Sequence, residues 1–356
     1  MRRLVASVSA ALTLLGGAAA QEARFDPEAD FEAFWTLFDD RYALFGVKGV
    51  DWDAVYDVYR PRVTEETTRA ELFAVFEETT GLLNDVHITV EDEEADRFAR
   101  SGGRSLGTGD FDVGKVSMPL IGEAYARGGL TVRAGGTMRY GTLEGGIGYL
   151  KVDAFKYPTT STSAADEIAR AFADAPAVII DVRQNGGGSD AVARLLASRF
   201  ADERRLVMTA EARLPGEEAL GEKRPWYVEP VPDALTVPVF VLVNDRTISA
   251  AENFAIMMRA FPHVTIVGET TAGALADTYP VAVGGGWVFG VPTNVLRDAD
   301  GRSWEGIGVV PDIWAANDPA DVAAGRDYGL ETALAFADAK VDDRAPPARE
   351  GRQQQR

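Results

Sequence analysis

Cysteine is absent from the 356-residue chain, so no disulfide can brace the fold and no lipidated cysteine can anchor it. Only two histidines occur, His87 and His263. They lack the spacing of paired metal ligands, so we predict no metal site, and no sequence pattern indicates a cofactor. The net charge is −19, and no stretch outside the extreme N-terminus is dense in lysine or arginine. The chain therefore lacks the basic patch that a nucleic-acid-binding protein needs.

Long apolar runs are also missing, since no segment after the N-terminus approaches the ~20 apolar residues that span a bilayer. Residues 1–20 combine Arg2 and Arg3, an apolar run up to Leu15 and an alanine-rich end before Gln21. This order is typical of a secretory signal peptide. We expect a soluble protein without a membrane span, in the periplasm or secreted.

The hydrophobic periodicity divides the rest of the chain. Aromatic residues recur at helical spacing in residues 27–92, which predicts a helical N-terminal domain. Residues 93–145 are first charged and then glycine-rich, and we interpret them as a connecting β region. In residues 146–340 strands alternate with helices, which predicts an α/β core. The tail, residues 345–356, is rich in Pro, Gln and Arg and is expected to be disordered.

Residues 241–254 read as an apolar strand, a polar turn and a new helix, with Ser249 at the strand-to-helix corner. Unpaired N–H groups and the positive end of the helix dipole favour negative charge there. A serine so placed can attack a carbonyl while nearby amides hold the oxyanion. Ser249 and Glu252 also form a capping-box pattern, which many helices carry without any chemistry.

An activated serine needs a base, and His87 and His263 are the only histidine candidates. His87 follows Asp85 by two residues, at a helix-to-strand junction in an apolar stretch. His263 lies in a loop and is interpreted as a solvated side chain. Lysine can replace histidine where burial lowers its pKa. None of the six lysines lies between Ser249 and the predicted closing helix, however, so a Ser-Lys dyad would need a distant lysine.

Two further segments complete the candidate site. Asp181-Val182-Arg183-Gln184-Asn185-Gly186-Gly187-Gly188 is a buried strand that opens into three glycines. Backbone N–H groups in such a loop can approach a ligand closely and form half of an oxyanion hole, although the segment also fits a simple glycine turn. Glu305, beside Trp304, reads by itself as a solvated turn residue, and it is also a candidate to orient a histidine base.

Taken in order, these motifs resemble the C-terminal (tail-specific) processing serine peptidases. The matching segments are Asp85-Val86-His87, Asp181 to Gly187, Thr247-Ile248-Ser249-Ala250-Ala251-Glu252, Gly268-Glu269-Thr270-Thr271-Ala272-Gly273 and Glu305-Gly306-Ile307-Gly308-Val309-Val310-Pro311-Asp312. In addition, Gly49-Val50-Asp51-Trp52-Asp53 resembles the helical domain of the tricorn-type branch.

Differences from the family motifs indicate which branch of the family the chain resembles. Ser-Lys peptidases of this family carry a lysine directly after the Gly-x-x-Thr-x-Gly motif, where this chain has Ala274. They also usually insert a PDZ domain, for which residues 93–145 are short. The tricorn-like branch uses a histidine and a glutamate, matching His87 and Glu305. Tricorn has a serine directly before its histidine, where this chain has Val86, so another hydroxyl such as that of Thr89 is an alternative partner.

The resemblance implies a helical N-terminal domain followed by a ββα superhelical, crotonase-like core. It also implies a peptidase that cleaves polypeptides through an acyl-enzyme. Ser249 would attack, His87 would act as general base and Glu305 would orient His87. The N–H groups of Gly186 or Gly187 and of Ala250 would hold the oxyanion.

A second reading remains open, because interphotoreceptor retinoid-binding protein is also similar and binds hydrophobic ligands. The chain could accordingly be a non-catalytic scaffold for an apolar ligand or a polypeptide. A crotonase-like acyl-CoA enzyme does not fit, because CoA is cytoplasmic and the expected signal peptide exports the chain.

Overall fold

The computed structural model describes residues 25–102, 115–217 and 219–344. The predicted signal peptide and the predicted disordered tail lie outside these residues. The helices are α1 Pro27–Arg41, α2 Phe45–Lys48, α3 Trp52–Tyr59, α4 Arg69–Gly81, α5 Met118–Leu120, α6 Pro158–Ala171, α7 Asp190–Ala197, α8 Ala250–Arg259, α9 Pro319–Ala323 and α10 Tyr328–Arg344. The strands are β1 Thr89–Asp92, β2 Arg97–Arg100, β3 Arg127–Arg133, β4 Met138–Thr142, β5 Gly148–Val152, β6 Val178–Asp181, β7 Arg205–Ala212, β8 Arg224–Val228, β9 Val239–Val243, β10 Val264–Gly268, β11 Thr278–Val283, β12 Trp287–Pro292, β13 Asn294–Asp298 and β14 Ile313–Trp314.

A seven-stranded sheet with the order β14-β10-β9-β6-β5-β4-β3 forms the core. The strands from β14 to β5 are parallel, and β4 and β3 extend the sheet in antiparallel fashion. The central strands are buried along their whole length, as expected for a parallel sheet with both faces covered. Successive residues of β9 point to opposite faces of the sheet. Val241 packs with helices α6, α7 and α8, whereas Leu242 packs with α10.

The N-terminal helices pack around aromatic side chains. Trp35 of α1 stacks on Trp52 of α3 with ring centroids 4.2 Å apart. Phe34 lies 5.2 Å from Phe289, which belongs to β12. β12 is hydrogen-bonded in a four-stranded antiparallel sheet with the order β11-β12-β1-β2. The β11–β12 hairpin therefore belongs to the α/β segment in sequence but packs against the N-terminal helices, where it completes their hydrophobic core.

The expected fold class, a helical N-terminal region followed by a mixed α/β core, is confirmed. The connecting segment differs in detail from a purely β region, because it contains helical turns from Met118 to Tyr125 before β3 and β4 join the main sheet. The sequence reading also missed a three-stranded sheet with the order β13-β7-β8. No helix among the described residues is long and apolar enough to cross a membrane.

Candidate active site

Three loops at the carboxyl ends of neighbouring parallel strands build the site. β6 leads into the glycine loop, β9 leads into the turn before Ser249, and β10 leads into residues 269–276. Such crevices at the carboxyl ends of parallel strands are the usual ligand sites of α/β sheets. Backbone hydrogen bonds join the loops, from Ile248 N–H to Asn185 O (3.1 Å) and from Ser249 N–H to Ala274 O (2.9 Å).

Ser249 has a strained backbone, with φ 60° and ψ −130°, directly before α8. A non-glycine residue in such a conformation costs on the order of 1–3 kcal/mol and persists only where its surroundings impose it. A similar strained strand-to-helix turn exposes the nucleophilic serine of α/β-hydrolases. Ser249 is partly exposed, although most of α8 behind it is buried. The strain therefore presents one serine at the surface of a rigid element.

The glycine loop lies directly against Ser249. A β-carbon placed on Gly187 would lie 2.7 Å from the Ser249 Cβ and 3.2 Å from the Ala250 nitrogen. The Gly187 N–H, however, donates to the Asn185 Oδ1 (2.9 Å). Within the described chain no hydrogen bond uses the N–H of Gly186 or of Ala250. These two donors are open for an oxyanion, whereas that of Gly187 is already engaged.

Val86 brings the histidine segment to the serine. Its side chain packs with Ile248 and Ala274 in a small apolar cluster that adjoins Ser249. The position where Ser-Lys peptidases carry their lysine is thus occupied by the buried Ala274 and covered by Val86. His87 follows directly, so the two sequence-predicted residues His87 and Ser249 lie on adjoining segments.

His87 is buried, and burial lowers its pKa below the usual value, opposed by the neighbouring Asp85 carboxylate. The backbone N–H of His87 donates to Asp85 Oδ1 (3.0 Å). Its ring Nδ1 is buried and makes no hydrogen bond within the described residues. The imidazole is therefore neutral near pH 7 and has an unused ring nitrogen. Thr89 is not the partner of Nδ1, and its hydroxyl accepts from the Gly290 N–H (3.1 Å).

Glu305 has a matching unused oxygen. Its Oε2 accepts from the N–H groups of Leu275 (2.9 Å) and Ala276 (3.3 Å). Its Oε1 is buried without a hydrogen-bond partner among the described residues. Burial, helped by the Asp85 carboxylate, raises the pKa of Glu305 to about 8. No hydrogen bond joins Glu305 to His87 in this structure, but both lie beside Asp85 and each has one open atom.

Glu252 does more in the structure than the capping-box pattern indicates. Its side chain is fully buried and accepts hydrogen bonds from the N–H groups of Ser249 (3.2 Å), Gly273 (2.7 Å) and Ala274 (2.9 Å), and from the Thr271 hydroxyl. An ordinary capping glutamate is solvated and bonds only its own N-cap residue. This carboxylate instead ties the serine turn to the loop after β10.

The sequence reading gave Arg183 no role. Its guanidinium is buried between Asp181 and Asp327, with N–O distances of 2.7 Å to each. Together with Lys151, it holds the pKa of Asp181 at about 2 despite complete burial. Lys151 Nζ donates to the Arg183 carbonyl rather than contacting Ser249. His263 is partly exposed beyond the opposite end of α8.

A cleft of about 390 Å³ opens beside the site. Its lining includes Gly188, Asp190, Arg194, Trp226, Asp277 and Tyr279. Burial, helped by Asp277, raises the pKa of Asp190 to about 7. One wall includes Gly188, which directly follows Gly187 of the glycine loop, and the other includes Asp277, which directly follows the Leu275 and Ala276 that bond Glu305.

Comparisons with known proteins agree with this geometry. Residues 146–315 match peptidase family S41, and residues 24–81 match the tricorn protease C1 domain. The carboxy-terminal processing protease CtpA of Bacillus subtilis is 31% identical over 129 residues, which are 36% of this chain and 26% of that protein. The candidate tricorn protease homolog 2 of Streptomyces coelicolor is 25% identical over 386 aligned residues, which cover 85% of this chain and 31% of that protein.

Among solved structures, a candidate peptidase from Parabacteroides merdae is 26% identical with a TM-score of 0.76 and covers 91% of this chain and 100% of its own. The chain spans only about a quarter to a third of the two curated relatives. The resemblance found in the sequence is nevertheless confirmed, both for the α/β core and for the helical region. The matches to the core and to the helical region together support a C-terminal processing S41 peptidase that is similar to the tricorn-like group.

Proposed function

We propose that this chain cleaves polypeptides through an acyl-enzyme on Ser249, with His87 as general base and Glu305 as the carboxylate that orients His87. The observation that carries the proposal is the strained turn of Ser249, pressed against Gly187 and adjoining the His87 segment through Val86. Pure ligand binding would need neither a strained serine nor a neutral, buried histidine beside it.

In the first step the Ser249 Oγ attacks the scissile carbonyl carbon while His87 accepts the hydroxyl proton. The open N–H groups of Gly186 and Ala250 are the proposed donors to the oxyanion that forms. Collapse breaks the C–N bond, and His87 returns the proton to the leaving amine. Water then repeats the sequence and releases Ser249. General-base catalysis contributes about 10²–10⁴ in rate, and one oxyanion donor about 10²–10³.

Glu305 acts when His87 becomes a cation. The open Oε1 of Glu305 and the open Nδ1 of His87 are complementary, since a carboxylate accepts and a protonated ring nitrogen donates. A modest rotation that joins them would stabilise the imidazolium and fix the ring. Asp85 is less suitable because both of its oxygens are used, by the Tyr42 hydroxyl and the His87 N–H.

The cleft beside Gly188 is the proposed binding place for substrate residues that flank the scissile bond. Residues 1–20 support export to the periplasm or beyond. The setting would then be proteolysis in the cell envelope or outside the cell.

The test is labelling of the purified chain with a fluorophosphonate, which reacts with activated serines without knowledge of the substrate. We expect labelling that disappears in Ser249→Ala and falls at least about 10²-fold in His87→Ala. Ser161→Ala, which alters a buried serine on α6, is the matched control. An unlabelled but folded wild-type chain would overturn the proposal and favour a scaffold that binds an apolar ligand or polypeptide.

A further inference from the structure

Two side chains of the N-terminal helical region reach the back of the candidate site. Tyr42, which follows α1, is fully buried and its hydroxyl donates to Asp85 Oδ2 (3.0 Å). Lys48, the last residue of α2, donates to the Asn84 carbonyl (3.2 Å), and its Nζ lies 3.7 Å from Glu305 Oε1. The Lys48 side chain is only 10% exposed and that of Glu305 only 2%. This ion pair therefore lies under the surface, where screening by water is weak.

Glu305 needs a cation because most of its surroundings oppose its charge. Burial raises its pKa most, and the carboxylates of Asp85 and Glu252 add to this effect. The Tyr42 hydroxyl is close enough for the Glu305 charge to raise its own pKa. Lys48 and the N–H groups of the segment after Gly273 act in the opposite direction and lower its pKa. Among the described residues, Lys48 is the cation with the largest effect on the pKa of Glu305.

We propose that Lys48 is a positioning residue of this peptidase, which pairs with Glu305, favours its ionised form and holds its Oε1 ready for His87. This inference rests on the proposed function, in which Glu305 stabilises the protonated imidazole. Lys48 also lies close enough to His87 to lower the pKa of its ring. Both effects increase the fraction of molecules in which His87 is a neutral base and Glu305 an ionised carboxylate. The helical region then completes the active site in addition to packing against it.

The position of Lys48 at the end of α2 and the surroundings of its ammonium group fit this role. The Gly49 that follows it ends α2 in the left-handed conformation, with φ 67°. A β-carbon placed on Gly306, the neighbour of Glu305, would lie 3.5 Å from Nζ. The ammonium is thus enclosed between the segment of Asn84 and the turn that carries Glu305.

The test compares Lys48→Met with Lys48→Arg in the rate of fluorophosphonate labelling between pH 5 and 10. Without the cation, the pKa values of Glu305 and His87 both rise, so the acidic limb of the profile moves to higher pH. We expect Lys48→Met to label about tenfold more slowly at pH 7 and to approach the wild-type rate near pH 9.5. Lys48→Arg should keep the wild-type profile, as should Lys340→Met, which removes an exposed lysine on α10.

A double-mutant cycle separates this role from a general effect on folding. In a Glu305→Gln background, Lys48→Met should change the pH profile much less than in the wild-type chain, because only its smaller effect on the pKa of His87 remains. An equal loss at every pH, or no loss in Lys48→Met, would overturn the inference. If the wild-type chain does not label at all, the proposed function fails instead, so the two failures are distinct. Circular dichroism of each variant checks that it is folded.

Discussion

The α-carbon of Gly187 lies against the side chain of Ser249. A β-carbon there would come within 2.7 Å of the Ser249 Cβ and 2.9 Å of the Ile248 carbonyl oxygen. The φ of Gly187, 87°, is also a conformation that side chains rarely adopt. Only glycine fits at this position, and the fit determines where the serine turn can lie.

We therefore expect Gly187→Ala to reduce labelling of Ser249 by at least about 10²-fold, because displacing a reactive group by 1 Å can cost that much. Gly122→Ala, in the helical turn Ile121–Tyr125, is the matched control. It has open space around its added methyl group and no positive φ. It should keep most of the activity. Equal activity of the two variants would contradict the close contact, and thermal unfolding of both checks their stability.

A second prediction concerns Glu252, whose carboxylate accepts hydrogen bonds from Ser249, Gly273 and Ala274. In Glu252→Gln the amide group turns two donors toward these N–H groups, so one or more of them loses its acceptor. We expect the labelling rate to fall about 10- to 10²-fold through displacement of the serine turn. The rate constant for labelling and the melting temperature should be measured together.

The capping box of α4 supplies the control for Glu252. Glu71 accepts from the Thr68 N–H (2.8 Å) in the same sequence pattern, but it is exposed and distant in sequence from the site. Glu71→Gln should change stability by no more than about 0.5 kcal/mol and leave labelling unchanged. If Glu252→Gln behaved like Glu71→Gln, the buried carboxylate would be no more than a helix cap.

The sequence was sufficient for features that depend on local pattern. The strand-to-helix corner at Ser249, the glycine loop after Asp181 and the alternation of strands and helices all follow from neighbouring residues, and the elements occur where expected. Ala274 likewise marked the absence of the Ser-Lys arrangement, and the structure places a small apolar cluster there.

Features that depend on distant contacts were not accessible in this way. Lys48 approaches Glu305 across most of the chain, and nothing in its own neighbourhood indicates a partner. The engagement of the Gly187 N–H depends on the side-chain rotamer of Asn185, which a motif does not specify. The capping-box pattern of Glu252 was visible, but its burial against Gly273 depends on how the loop after β10 folds over it.

A third prediction concerns the buried guanidinium of Arg183. Arg183→Met leaves the carboxylates of Asp181 and Asp327 buried without their common cation. Breaking a buried pair in this way should lower the free energy of unfolding by about 3–5 kcal/mol. Arg204→Met, which breaks the exposed pair with Glu229, should cost at most about 1 kcal/mol. Urea unfolding at pH 7 measures both, and similar losses would contradict a structural role of the Arg183 network.

The last prediction follows from the pKa of Asp190, which burial beside Asp277 raises from 3.8 to about 7. Between these two values the folded chain holds a proton that the unfolded chain has released. The free energy of unfolding therefore decreases as pH rises through this window, and the loss is complete above pH 7. Asp190→Asn removes the titrating group but keeps an oxygen for the Asn253 amide, which donates to Asp190 Oδ1 (3.0 Å).

We expect Asp190→Asn to be more stable than the wild-type chain at pH 8, by on the order of 1–3 kcal/mol, and about equal to it at pH 4. Asp202 provides a control of opposite sign, since Arg205 lowers its pKa to about 2. Its carboxylate stabilises the fold above about pH 4, and that stability is lost as pH falls through 2, so Asp202→Asn should be slightly less stable at pH 8. Urea unfolding of the wild-type chain and of both variants at pH 4 and pH 8 measures these differences in stability. A stabilisation by Asp190→Asn that is the same at pH 4 and pH 8 would mean that the pKa of Asp190 is not raised in the folded chain.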